Sequence, residues 1–189
     1  MSRQARILLV DDRAENLVAL EAILSPLNQI LVPVRSGQEA VEAVLADEYA
    51  VVLLDIMMPG MDGFETAAQI KRHARSRDVP IIFLTAGSPQ PEQAFRGYAA
   101  GAVDYLAKPF DPWVLKAKVE VFVDLYLKAA RADDRARHPL LDQLGAVEET
   151  LALLRKLPAV LRDADAAAAA AELAGRVGRL RDALDSFGG

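Results

Sequence analysis

An α/β fold built on a doubly wound parallel sheet is predicted by three observations. Four short apolar runs, Ile7–Val10, Val51–Leu54, Ile81–Leu84 and Val103–Leu106, punctuate the N-terminal part of the 189-residue chain. The stretches between them carry helical periodicity, which puts helices between strands and covers both faces of a parallel sheet. A fifth run, Ile30–Val34, contains Pro33. Proline cannot donate to a ladder, so this run belongs at an edge. An edge position for the second strand fits the order 2-1-3-4-5 of a flavodoxin-like sheet.

The helices follow in order. Ala14 to Leu24 places Leu17, Leu20, Ile23 and Leu24 on one face, and Ser25-Pro26 ends it. Ser36-Gly37-Gln38-Glu39 has the form of a capping box and opens a helix carrying Ala40, Val41, Val44 and Leu45. Asp62 caps a helix through Phe64, Ala67, Ala68 and Ile70, and a further helix is predicted over 91–100, stopping at Gly101. Asp111-Pro112 starts a last long helix with proline at its favoured first position. Five strands alternating with helices in this order form a flavodoxin-like (βα)5 domain, predicted over residues 1–127. After Leu106 no strand pattern appears. Residues 128–189 read as helical throughout, divided by Pro139 and Pro158, with an alanine run over Ala166–Ala171.

Composition narrows the function classes. Hydrophobic residues make up 52% and charged residues 26%, as in ordinary globular proteins. The chain has no cysteine, which excludes disulfides and thiolate metal sites. No apolar run approaches the roughly 20 residues that span a bilayer, and the first residues do not form a signal-peptide core. A cytoplasmic protein without membrane contact is expected. The net charge of -5 gives no electrostatic basis for nucleic-acid binding.

Chemistry collects at the strand ends. Ligands of open α/β sheets bind beyond the carboxyl ends of the strands, near the reversal of strand order. Asp11-Asp12 follow the first strand, Asp55 ends the third, Thr85 ends the fourth, and the fifth runs into Lys108-Pro109. Taken singly, each has a plain structural reading: a helix cap, a turn, a strand end, a solvated lysine. Together they put three carboxylates, a hydroxyl and an ammonium on one rim. Crowded carboxylates repel one another, and a hard divalent cation relieves that repulsion. Mg²⁺ suits a few carboxylates plus phosphate oxygens, and the ion draws an attacking carboxylate towards an incoming phosphoryl group. Lys108 supplies a compact charge for a phosphate oxygen and Thr85 a hydroxyl donor.

The Asp11-Asp12 pair, Asp55 within VVLLDIMMPGMDG, Thr85 within IIFLTA and Lys108-Pro109 within GAVDYLAKPF resemble the signature of response-regulator receiver domains. The resemblance covers about the first two thirds of the chain. It implies that Asp55 accepts phosphate from a histidine kinase or phosphotransfer protein. It also implies Mg²⁺ bound by Asp11, Asp12, Asp55 and the backbone carbonyl of Met57, and a cis peptide before Pro109. Thr85 and Tyr105 are the switch pair, the threonine moving inward and the aromatic filling its place. Asn16 lies near the site on the first helical turn. Met57, two residues past the acceptor, has an apolar side chain that cannot position an attacking water, so unusually fast dephosphorylation is not expected. Such a receiver catalyses only its own phosphorylation and dephosphorylation.

Apolar residues at heptad spacing continue beyond it. Leu115, Val119, Phe122, Tyr126 and Ala129 form one seam, part of which packs on the receiver's own sheet. Leu140, Leu144, Val147, Leu151 and Leu154 form a second, and Leu173, Val177, Leu180, Leu184 and Phe187 a third. Two striped helices separated by Pro158 read as a hairpin, and pairing with a second copy into a four-helix coiled-coil bundle covers both stripes. Pro139-Leu140, Leu144-Gly145 and Glu148 are similar to the segment after the phosphoacceptor in histidine-kinase dimerisation domains. Asp134 stands where the acceptor histidine belongs and His138 replaces a small polar residue. That resemblance therefore implies a degenerate hairpin without phosphoryl chemistry of its own; a generic helical tail is the other reading. The alternative at the level of the whole protein is a receiver-plus-dimerisation piece of a larger hybrid histidine kinase or other signalling enzyme.

Overall fold

The computed structural model describes residues 3–87, 104–154 and 164–186. The helix predicted over 91–100, Pro158 and Phe187 lie outside the described residues, as do the side chains of His138, Leu151 and Leu154. The chain divides into two compact units, Met1–Lys128 and Ala129–Gly189.

The first unit holds five parallel strands in the order β2-β1-β3-β4-β5. These are β1 (Arg6–Val10), β2 (Ile30–Val34), β3 (Val51–Asp55), β4 (Ile81–Ala86) and β5 (Asp104–Lys108). The helices are α1 (Ala14–Leu24), α2 (Gly37–Ala46), α3 (Gly63–Arg72), α4 (Pro112–Leu154) and α5 (Ala164–Ser186). Because strand side chains alternate between faces, each strand feeds two cores. On one face Leu8, Val10, Val52, Leu54, Ile81 and Phe83 pack beneath α2 and α3, against Val41, Phe64 and Ile70. On the other, Ile7, Leu9, Val51, Leu53, Ile82 and Leu84 meet Leu17, Leu20 and Leu24 of α1 and Leu115, Val119 and Val123 of α4. Near-continuous apolar runs are what a sheet buried on both sides requires.

Pro33 sits on the outermost strand. The neighbouring bonds, Ile30 N to Ala5 O at 3.0 Å and Asp11 N to Val34 O at 3.3 Å, turn the even-numbered residues of β2 towards β1. Pro33 therefore faces its imide nitrogen away from the sheet and forfeits no ladder bond.

Three sequence expectations need correction. Leu115 and Val119 have no exposed surface and belong to the core of the first unit, with Phe122 and Tyr126 partly buried against the same cluster. Leu115 and Val119 are therefore consumed within the chain and are not available to a pairing seam. Pro139 does not divide the C-terminal region either, because α4 runs through it from Pro112 to Leu154. A proline forfeits one i to i−4 hydrogen bond, which helix-favouring sequence on both sides outweighs here. The capping box expected at α2 forms only in half. Ser36 Oγ accepts from Glu39 N at 3.2 Å, but Glu39 Oε2 accepts from Arg35 N, at 2.9 Å, in place of Ser36 N. At α3, by contrast, Asp62 and Glu65 make the complete reciprocal box.

In the second unit, Arg181 of α5 pairs with Glu148 in the last part of α4, and Gly145 lies close to the same arginine. Val177 is buried, Leu144 and Leu184 are partly covered, and Leu140, Val147, Leu173 and Leu180 remain exposed.

Candidate functional site

The carboxyl ends of β1, β3 and β5 bring four of the predicted side chains together. Asp11, directly after β1, has no exposed surface. Its Oδ1 accepts from Asn16 Nδ2 at 2.8 Å and from the Arg13 amide at 3.0 Å. Its Oδ2 accepts from Asn16 Nδ2 at 2.9 Å and from Lys108 Nζ at 2.8 Å. Asp55 closes β3 almost fully buried, with Oδ1 2.7 Å from Lys108 Nζ and Oδ2 accepting from the Met57 amide at 3.1 Å. The ammonium of Lys108 thus bridges two carboxylates from two other strands, and the Lys108–Pro109 peptide is cis. Asp12 is partly exposed, and among the described residues its carboxylate accepts no hydrogen bond.

Asp11, Asp12 and Asp55 each offer a carboxylate oxygen, and these oxygens lie within 4.8 Å of one another. Three carboxylates against one ammonium leave a surplus of two negative charges. Hard oxygen donors with that surplus fit a small divalent cation. Burial pushes the Asp55 carboxyl above the ordinary carboxylate range; the hydrogen bond and charge of Lys108 oppose this, and Asp11 adds to it. Burial alone would favour the neutral amine of Lys108, but hydrogen bonds and attraction from Asp11 and Asp55 outweigh it and hold the ammonium above its usual value.

Thr85 and Tyr105 do not join this cluster directly. Thr85 is buried, and its hydroxyl donates to Gly87 O at 3.3 Å. The Tyr105 ring lies 5.3 Å from that of Phe83, tilted by 40°, on the α2–α3 face of the sheet. The side chain of Met57 is 73% exposed at the mouth of the site, open to any partner that approaches Asp55.

Two contributors escaped the sequence reading. A Cβ on Gly63 would fall 2.4 Å from Asp55 O and 2.7 Å from Ile56 Cα, so glycine lets α3 start directly against the backbone of Asp55. Its place in the MPGMDG run was visible, its role was not. Arg35, just past β2, donates to the backbone carbonyl of Asp12 from Nε at 3.3 Å and Nη2 at 3.0 Å. No local pattern signals that contact. Asn16, placed near the site by the sequence, puts its amide on both oxygens of Asp11.

The family model described as response regulator receiver domain matches residues 7–120. The chain belongs to the response regulator receiver family. A probable cyclic di-GMP phosphodiesterase of Vibrio cholerae is 40% identical over 116 residues, 61% of this chain and 26% of that protein. The transcriptional regulatory protein GltR of Pseudomonas aeruginosa is 38% identical over 124 residues, 65% of this chain and 51% of its own length. Among solved structures, the chemotaxis protein CheY4 of Vibrio cholerae matches with a TM-score of 0.60 at 28% identity, covering 64% of this chain and 99% of that one. The receiver domain of the sensor histidine kinase PA1611 of Pseudomonas aeruginosa has a magnesium ion coordinated in its active-site cleft. It matches with a TM-score of 0.59 at 33% identity, covering 65% of this chain and 99% of its own. The chain spans about a quarter to a half of the length of these curated relatives. Residues 7–120 are thus a receiver domain of the kind used in two-component systems.

Proposed function

We propose that this receiver accepts a phosphoryl group on Asp55 from a histidine kinase or phosphotransfer protein, and passes the change on through the helices of residues 128–189. The observation that carries the proposal is the meeting of Asp11, Asp12 and Asp55 with the bridging ammonium of Lys108. An oxygen of Asp55 forms the bond to phosphorus while the donor's bond to phosphorus breaks, and the bonding pair leaves with the donor. Lys108 already touches Asp55, so its charge stands beside the oxygens of the arriving group. Asp11, pinned by Asn16 and Lys108, and Asp12 would hold Mg²⁺ together with Asp55 and the Met57 carbonyl. When bound, the ion neutralises charge on the group being transferred. Thr85 follows by exchanging its bond to Gly87 O for one to a phosphoryl oxygen, and Tyr105 moves into the space it leaves. The chain performs no turnover on a separate substrate. Its proposed location is the cytoplasm, with no contact to nucleic acid or membrane. Among the described residues no helix is long and apolar enough to cross a membrane.

Incubation with acetyl phosphate and Mg²⁺ is expected to add one phosphoryl group to the intact protein, read by mass spectrometry, and Asp55→Asn is expected to block it. Incorporation that persists in the asparagine variant would move the acceptor elsewhere.

The hairpin supplies the output contact, a second copy of the chain. Val177 is buried and Leu144 and Leu184 are partly covered, and the free stripes are Leu140 with Val147 and Leu173 with Leu180. Each pair is seven residues apart. In an antiparallel hairpin with Glu148 and Arg181 in contact, helical geometry would send both stripes to the same side. Two such faces related by a two-fold axis close a four-helix bundle. Light scattering is expected to show a dimer that weakens when the chain is cut after Ala129. A monomer at full length would remove this part of the proposal.

A further inference from the structure

We infer that Arg35 is a positioning residue for the metal-binding loop, holding Asp12 in place through its backbone. The inference rests on the Mg²⁺ site proposed above and concerns a residue outside the acid cluster.

The three carboxylates are not held alike. Asp11 and Asp55 are fixed by side-chain and backbone donors on both oxygens. The carboxylate of Asp12 has no such support among the described residues, so its direction follows from the backbone of the β1–α1 loop. That loop meets β2 through Asp11 N to Val34 O at 3.3 Å, a long bond at the end of the ladder. One residue later the guanidinium of Arg35 closes a fork on the Asp12 carbonyl, with Nη2 at 3.0 Å and Nε at 3.3 Å. Arg35 is itself anchored. Its amide donates to Glu39 Oε2 at 2.9 Å, while the Glu39 amide donates to Ser36 Oγ. The incomplete capping box of α2 thus has a use: the glutamate released from Ser36 ties down the residue that grips the loop. A rigid fork suits this task because less freedom is lost per bond than with a flexible ammonium.

Charge and position predict opposite signs, which makes the inference testable. A guanidinium near the site repels a cation, so removing it for electrostatic reasons alone tightens Mg²⁺ binding. Removing an anchor of Asp12 weakens it. In calorimetric titration of the full chain, Arg35→Met is expected to raise the Mg²⁺ dissociation constant several-fold, while its Tm in EDTA stays close to that of wild type. Arg35→Lys, which restores a single donor and the charge, is expected to fall between the two. Unchanged or tighter Mg²⁺ binding in Arg35→Met overturns the inference. So does a lysine variant no better than methionine, or a Tm loss in EDTA that accounts for the weakened binding. Wild type and Asp12→Asn serve as controls. If wild type fails to bind Mg²⁺, or Asp12→Asn binds as well as wild type, the site itself has been misread. If those behave and Arg35→Met does not, only the role of Arg35 falls.

Discussion

At the scale of single residues, the site is a buried acid pair stapled by one lysine, with a third acid left free. The burial of Asp55 carries a signed consequence for stability. Its carboxyl is held above the ordinary range, so the folded chain binds that proton more tightly than the unfolded one. The stability gained is complete below the unfolded carboxylate range and is lost as pH rises through the folded value. Asp55→Asn is neutral at every pH and is expected to melt above wild type at neutral pH in EDTA, the gap closing in acid. A lower Tm at neutral pH would show that the Lys108 ion pair outweighs burial. The meeting of the acids with Lys108 was legible in the sequence because each stands at the end of an apolar run, whereas Thr85, read by the same rule, bonds to Gly87 O instead. Arg35 was not legible, since its partner is a backbone carbonyl across a strand gap, and for Asn16 the place could be read but not the partner, Asp11.

At the scale of elements, the strands read out well because short apolar runs between helices admit one arrangement. Start signals did nearly as well, as Asp62 and Glu65 show at α3. The errors came where one element serves two purposes. The first part of α4 is core, so a heptad pattern in Leu115 and Val119 reported burial in the parent unit and not a partner helix. Pro139 misled because a proline weighs heavily in a local reading and lightly in a long helix. Close approach is equally hidden from sequence, and Gly63 tests it. A Cβ there meets backbone at 2.4 Å, which cannot yield as a side-chain tip can. Gly63→Ala is expected to cost about 2 kcal/mol or more in denaturant unfolding and to slow phosphoryl acceptance by displacing Asp55. Gly60→Ala is the control. Gly60 has φ +79 with nothing within 4 Å of an added Cβ. Its replacement should cost only backbone strain, about 1 kcal/mol, and leave phosphorylation near wild type.

At the scale of the whole molecule, ligand and fold are coupled. An ion that binds only the folded state at a hundred times its dissociation constant adds about 2.7 kcal/mol. Thermal melts are therefore expected to shift upward with Mg²⁺ over EDTA in wild type and to show little shift in Asp12→Asn. An equal shift in both would mean the ion acts away from the acid cluster. The gain belongs to the unit Met1–Lys128, and the transition of Ala129–Gly189 should not follow it. The outer strand of that first unit carries one last implication. Pro33 turns a nitrogen without hydrogen towards solvent, at the margin where a stray strand could otherwise dock. A β-rich chain of the same kind or of another finds a gap there in the row of donors it needs. The outer edge of the sheet thus presents an incomplete template to any strand that would extend it.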